Sequence, residues 1–167
     1  MEEDPAPRGA AVRARGPHGE ADAMSTIAHA RSHALVHAWR GLVSGLAGGV
    51  VFGVLMAAAG MLPAVGMLVG TENAIAGGAV HLVISAGFGL VFGLIAGAVA
   101  DRPWPVLAAG AAYGLFWWVA GGLALMPAML GMPAFAFGEQ AWTSLAGHLL
   151  YGVVTAAVLM WMSHKEV

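Results

Sequence analysis

Four stretches of this chain, Gly41 to Leu62, Gly78 to Ala100, Pro105 to Met126 and Ala141 to Met162, contain no Asp, Glu, Lys or Arg. Crossing the hydrocarbon core of a bilayer takes about 20 apolar residues as a helix. Each stretch meets that length. Several are rich in Gly and would make poor helices in water. In lipid every backbone N–H and C=O must pair within the chain, so helix is the default. The sequence therefore predicts an all-α, polytopic membrane four-helix bundle. Composition agrees: 59% of the residues are hydrophobic and 10% charged, against roughly 25% charged in an average soluble domain. So few charges cannot coat a water-facing surface. A cleaved leader is not expected, because the first apolar run begins near residue 41 and is too long for a signal core.

The basic residues give a direction. They are Arg8, Arg13, Arg15, Arg31, Arg40, Arg102 and Lys165. Five precede the first span, one lies between spans two and three, and one follows span four. The loops 63–77 and 127–140 have none. By the positive-inside rule both termini and the Asp101-Arg102-Pro103 turn are cytoplasmic, and the two basic-free loops face outward. Trp104 and Trp161 fall at the same inner interface, where indoles are enriched. The expected location is a bacterial inner membrane, multi-pass, with the lipid bilayer as first partner.

Residues 1–24 are polar and rich in Pro, Gly, Ala and Arg, which predicts a disordered cytoplasmic tail. Met24 is an alternative start. Residues 25–40 read as a short interfacial helix, and residues 163–167 as a cytoplasmic tail. Within the short helix His29, His33 and His37 recur every four residues and share a face. That pattern could chelate a metal, and it is equally that of a solvated helix in a His-rich chain.

The halves of the chain resemble each other. Glu72 precedes His81 by nine residues, and Glu139 precedes His148 by nine, with 67 residues between the copies. Pro63 and Pro127 are expected to end spans one and three. Two copies of a helix–loop–helix unit follow, related by a pseudo-twofold axis along the membrane normal. The repeat places Glu72, His81, Glu139 and His148 toward the outer side, as candidates for binding a proton or cation. Ionisable residues inside a span are rare and usually functional. Nine residues of helix turn about 180°, so each Glu faces away from its own His. Pairing would run between halves, or the histidines converge while the glutamates cap their helices. The opposing reading is two neutral histidines, each bonded to a backbone carbonyl.

Methionine is frequent beside the outer loops, at Met61, Met67, Met126, Met129 and Met132. Thioether sulfur is soft and selects Cu(I), and imidazole suits copper and zinc. Beside the separate His29, His33 and His37 candidate, a copper-binding Met/His cluster at the outer face, with Met126, Met129 and Met132, competes with the simpler reading that Met fills apolar surfaces. Glycine recurs at strict four-residue spacing, at Gly41, Gly45, Gly49 and Gly53 and again at Gly89, Gly93 and Gly97. Such small-residue faces let helix backbones approach closely in lipid. They predict packing of span one on span two, or of subunit on subunit.

Cys is absent, which excludes disulfides, thiolate metal sites and cysteine nucleophiles. No phosphate-binding loop, nucleophile motif or paired catalytic carboxylates occur, so the chain is not expected to be an enzyme, to hold a cofactor or to bind nucleic acid.

The run Trp104-Pro105-Val106-Leu107-Ala108-Ala109-Gly110, the pairs Met126-Pro127 and Met132-Pro133, Glu139 and the stretch Ser144-Leu145-Ala146-Gly147-His148-Leu149 resemble the YagU-like family of small bacterial inner-membrane proteins. The resemblance implies a four-helix membrane protein with a link to acid or envelope stress. It carries over only Pro133, Glu139 and His148. The first outer loop is short here, where that family has a long insert. The leading expectation is a proton- or cation-linked transport or stress role through the Glu/His cluster, in a homo-oligomer or with a membrane-protein partner. The alternatives are a scaffold or accessory subunit packed through its glycine faces, and a protein binding haem through His81 and His148, or copper.

Overall fold

The computed structural model describes residues 17–165, with only the backbone described over residues 17–30. The chain divides into two units, Met1–His33 and Ala34–Val167. The disordered tail expected over residues 1–24 lies outside the described residues as far as residue 16. From Pro17 onward the backbone is helical. The second unit holds the bundle.

Helix α1 spans Pro17–Ala58. A short α2, Leu62–Gly66, runs into a 3₁₀ turn, Met67–Val69. Helix α3, Ala74–Ala96, ends in another 3₁₀ turn, Gly97–Val99. Helix α4, Pro103–Trp117, passes into a π-helical segment, Trp118–Leu125, and then into a short α5, Met126–Met129. Helix α6 spans Glu139–His164. Among the described residues, four helical stretches are long and apolar enough to cross a membrane: Arg31–Ala58, Ala74–Val99, Pro103–Met129 and Glu139–His164. This is the make-up of a multi-pass membrane protein. Large apolar side chains on these helices, such as Val54, Val83 and Ile95, stand exposed, as lipid-facing residues do.

Two helix ends differ from the sequence expectation. The first long helix stops at Ala58, four residues before Leu62, because Gly60 takes a left-handed conformation (φ +67°). Only Gly adopts that geometry without strain. Pro63 therefore does not end span one; it opens α2, where a missing N–H costs nothing. Pro127 does not end span three either. A proline inside a helix orphans the carbonyl four residues earlier, here that of Leu123. The backbone N–H of Phe135 donates to that carbonyl at 2.8 Å, so the outer loop folds back and satisfies it. The helix then runs on to Met129, and the chain reverses at Gly131 (φ +67°).

Packing rests on glycine. A Cβ at Gly45 would overlap the Gly89 Cα, and one at Gly41 would overlap the Gly89 carbonyl. Gly93 lies against the His37 carbonyl, and Gly97 against the His37 ring. The α1 and α3 backbones are thus in direct contact. Helices α4 and α6 meet the same way: Gly110 lies on the Gly152 carbonyl, and Gly114 on the His148 carbonyl. Two tyrosines tie these pairs together. Tyr151 on α6 donates to the Ser85 carbonyl on α3 at 2.8 Å, and Tyr113 on α4 to the Phe88 carbonyl at 2.8 Å. At the end of the bundle near Arg102, Phe92, Ala96, Ala100, Val106, Ala156 and Leu159 form a closed core. At the opposite end the packing opens.

Candidate functional site: the histidine cavity

The open end encloses a cavity of about 960 Å³. Its walls come from α1, α3, the π-helical segment, α6 and both folded-back loops. Among the described residues, the hydrogen-bonding side chains that line it are His81, Gln140, Ser144, His148 and, through its indole N–H, Trp117, and no Asp, Glu, Lys or Arg lines it.

The π-helical turn helps make the space. It carries Gly121 and Gly122, neither of which brings a side chain to the wall, and a wider helix turn than α4 below it. Such π segments occur frequently at functional sites. Trp118, buried at its start, donates its indole N–H to the Ala141 carbonyl at 3.0 Å. That bond fixes the π turn to the first turn of α6. Met126, Met129, Met132 and Phe137 border the cavity from the loop side.

His81 projects from the second turn of α3 toward α1. Its Nε2 lies 3.0 Å from the Gly49 carbonyl, and the glycine at position 53 leaves room for the ring, since a Cβ there would stand 3.4 Å from its Cδ2. His148, in the third turn of α6, sets its Nδ1 2.8 Å from the Ser144 carbonyl, with the Ser144 hydroxyl at 3.3 Å. Both rings pack on Phe52 of α1, with ring centroids 5.1 Å and 4.8 Å away. Carbonyl oxygens only accept. Each bonded ring nitrogen therefore carries the hydrogen, and in the neutral ring the other is an acceptor. His81 is left with Nδ1 and His148 with Nε2, and among the described residues neither meets a hydrogen-bond donor.

The structure brings the two histidines to one cavity and leaves the glutamates outside it. Glu72 and Glu139 are both exposed. Glu72 does not cap α3. That place belongs to Asn73, whose side chain accepts from the N–H groups of Ile75 and Ala76 at 2.8 Å and 3.1 Å. Glu139 is the first residue of α6, behind Gly138 at the cap, where its charge suits the helix dipole. Each histidine bonds a backbone carbonyl.

The two metal candidates drawn from the sequence are the histidine face of the first helix and the methionines of the second long loop. His37 sits against Gly97, near the closed end, whereas Met126, Met129 and Met132 line the cavity. His33 is exposed, and the His29 side chain lies outside the described residues. Among the described residues no three of His, Asp or Glu are grouped to hold a metal. A haem between His81 and His148 would have to take Nδ1 of His81 and Nε2 of His148, the nitrogens not held by the Gly49 and Ser144 carbonyls.

Four contributors escaped the sequence reading. Gly110 and Gly114 carry the same four-residue signal as the first seam, but the bulk of Tyr113 and Trp117 beside them drew attention away. Ser144 lies one turn before His148, the position from which a carbonyl reaches a histidine on the same helix. The Gly121-Gly122 pair marks the π turn. Phe52 has no sequence signal at all.

No family model, curated protein or solved structure matches the chain.

Proposed function

We propose that this chain is a bacterial inner-membrane protein, with both termini cytoplasmic, that takes up a small lipid-soluble molecule in the outer-half cavity between His81 and His148. The observation that carries the reading is the cavity itself: about 960 Å³, apolar-walled, uncharged, and holding one histidine from each half of the chain. Small-molecule sites are concave, mostly apolar and supplied with a few placed polar groups, with volumes of roughly 300–1,000 Å³. A bare proton or metal cation is less well served. The carboxylates that would balance its charge are exposed outside the cavity, and an unpaired charge in apolar surroundings is costly. Transport or a stress-linked sensing role would act through this bound molecule. No catalytic constellation lines the cavity, so binding rather than chemistry is the role proposed.

The twofold repeat belongs to the same proposal. Gly45 contacts the Ser85 carbonyl and the Gly89 Cα; Gly110, 65 residues later, contacts the Gly152 carbonyl and the Ala156 Cβ, each 67 residues later. His81 and His148 share the 67-residue interval. A duplicated two-helix unit accounts for one histidine per half at the cavity. The likeness to the YagU-like family is kept as part of this reading, with His148 its one carried-over residue that reaches the site by a ring nitrogen. Glycine faces as a scaffold surface are disfavoured, because Gly41, Gly45, Gly89 and Gly93 are occupied by one another within the chain.

The test is photolabelling in lipid nanodiscs with an apolar diazirine probe, followed by peptide mapping. Label on buried cavity residues such as Phe52 and Leu123, lost in Gly87→Phe, is the expected result. Gly87 lines the cavity, and a Cβ there meets nothing within 4 Å, so the variant fills space without a clash. Label confined to outward-facing residues such as Val54 and Ile95, and unchanged by Gly87→Phe, would remove the proposal.

A further inference from the structure

We infer that the cavity selects a lipid-soluble molecule carrying a hydroxyl group, a phenol, hydroquinone or long-chain alcohol, which donates hydrogen bonds to the histidines. The inference rests on the cavity being a binding site and deepens it by naming the head group.

The reasoning starts from the tautomers. The Gly49 carbonyl holds the Nε2 hydrogen of His81, and the Ser144 carbonyl holds the Nδ1 hydrogen of His148. Neither ring can turn its N–H to a ligand without abandoning a buried acceptor, which costs free energy. Each ring is therefore fixed as an acceptor toward anything that enters. Two histidines from different helices present the same polarity. Whatever it accepts from the Ser144, Gln140 and Trp117 donors on the wall, a ketone, ether or ester has no hydrogen to give these two rings. A hydroxyl hydrogen complements them.

Size and shape narrow the class further. The space is many times that of a water or an ion, and its walls are aromatic and thioether groups, Phe52, Phe88, Trp117, Phe137, Met56 and Met126 among them. Phe88 and Trp117 are stacked with centroids 3.6 Å apart and form a flat wall. Such a wall suits a ring or a chain of apolar carbons. The charge balance points the same way: with no carboxylate or cation lining the cavity, a neutral molecule leaves no charge unpaired. Methionine sulfur and imidazole nitrogen could instead receive a soft cation such as Cu(I) or Ag(I), and the test includes that outcome.

A matched pair of competitors decides it. 4-Nonylphenol and its methyl ether, 4-nonylanisole, have nearly the same size and apolarity, and only the phenol donates. Each is titrated against the diazirine label on the full chain in nanodiscs. The phenol is expected to displace cavity label at about tenfold lower concentration than the ether, the factor of one well-made buried hydrogen bond. Replacing His148 by Phe, which keeps the ring volume, should shrink the gap, and His81→Phe together with it should abolish it. If the variants fail to fold, the comparison on the unaltered chain still decides. Equal displacement by phenol and ether would overturn the hydroxyl inference and leave the cavity reading standing. Failure of both competitors and of the label would overturn both. Protection of the cavity methionines from oxidation by Ag(I), with no displacement by the phenol, would overturn the inference in favour of a soft metal.

Discussion

The two glycine seams, α1 on α3 and α4 on α6, begin alike and end differently. Along α1 and α3 the seam runs from Gly41 and Gly93 up to Gly49 and Ser85, backbone against backbone. Along α4 and α6 it runs only from Gly110 and Gly152 to Gly114 and the His148 carbonyl. In each pair a histidine ring then takes over from glycine: His81 opposite Gly53, and His148 opposite Gly122, where an added Cβ would meet the ring at 3.4 Å. Above that level the first pair passes into the tight α2 cap, where Gly77 lies on the Leu62 carbonyl. The second pair passes into the π turn and a proline-rich loop, and so leaves a cavity. Close packing at one end and a histidine-floored space at the other thus follow from where small residues stop.

Breaking the first seam should have the largest effect. Gly89→Leu would drive a side chain into the backbone of Gly45 and Gly41, which have nowhere to retreat without separating the helices. Little folded protein is expected, measured as the monodisperse fraction in mild detergent. Gly87→Leu, two residues away and facing open space, should be recovered at the level of the unaltered chain. If both behave alike, close backbone contact is not what holds α1 to α3.

The second seam's open end should respond in binding instead of folding. Gly122→Val places its side chain against the His148 Cε1 and the Ser144 hydroxyl, each 3.4 Å from the new Cβ. Cavity labelling should fall about tenfold, as expected when one wall group is displaced by roughly 1.4 kcal/mol. Thermal stability should fall by less than for Gly89→Leu. Loss of folding with no folded fraction to label would mean that the π turn is as tightly packed as the seam below it.

How much of this could be read beforehand follows from the length of the signal each feature leaves. The four spans were legible because lipid demands some twenty uncharged residues in a row. The α1–α3 glycines were legible because seven recur at one spacing. The histidines stood out for being ionisable inside a span, and the sequence reading included the carbonyl-bonded state in which both are found. The Glu–His pairing expected from the repeat is not formed. Glu72 and Glu139 lie before or at the helix starts, and the exposed helix mouth offers them water. The continuation of the helix through Pro127 depended on a distant donor, the N–H of Phe135, which no local rule contains. Phe52 meets both histidine rings only through the packing of three helices.

A smaller effect tests the tie between the seams. Tyr151 reaches from α6 to the Ser85 carbonyl on α3, at the level where the first seam ends. Tyr151→Phe keeps the ring and removes the bond. Interhelical hydrogen bonds in membranes average about 0.6 kcal/mol and reach roughly 1.7. A loss of about 1 kcal/mol is expected in a denaturant titration, with cavity labelling retained. A change of labelling at unchanged stability would mean that Tyr151 sets the position of α6, and with it His148, more than it holds the pairs together.

The smallest effect separates the two residues that begin α3. Asn73 accepts from the N–H groups of Ile75 and Ala76, whereas Glu72 precedes it, exposed and outside the helix. Loss of such a cap costs about 1 kcal/mol. Asn73→Ala should lower stability by about that amount, because the freed N–H groups at an exposed helix start recover only water. Glu72→Gln should change it by less than about 0.5 kcal/mol, the usual range for a surface substitution away from special features. Neither should alter cavity labelling, since Asn73 and Glu72 do not line the cavity. Were Glu72→Gln to weaken labelling while Asn73→Ala did not, a carboxylate would be acting on the site from outside its walls. The difference between the two halves would then lie in charge at the mouth as well as in packing below it.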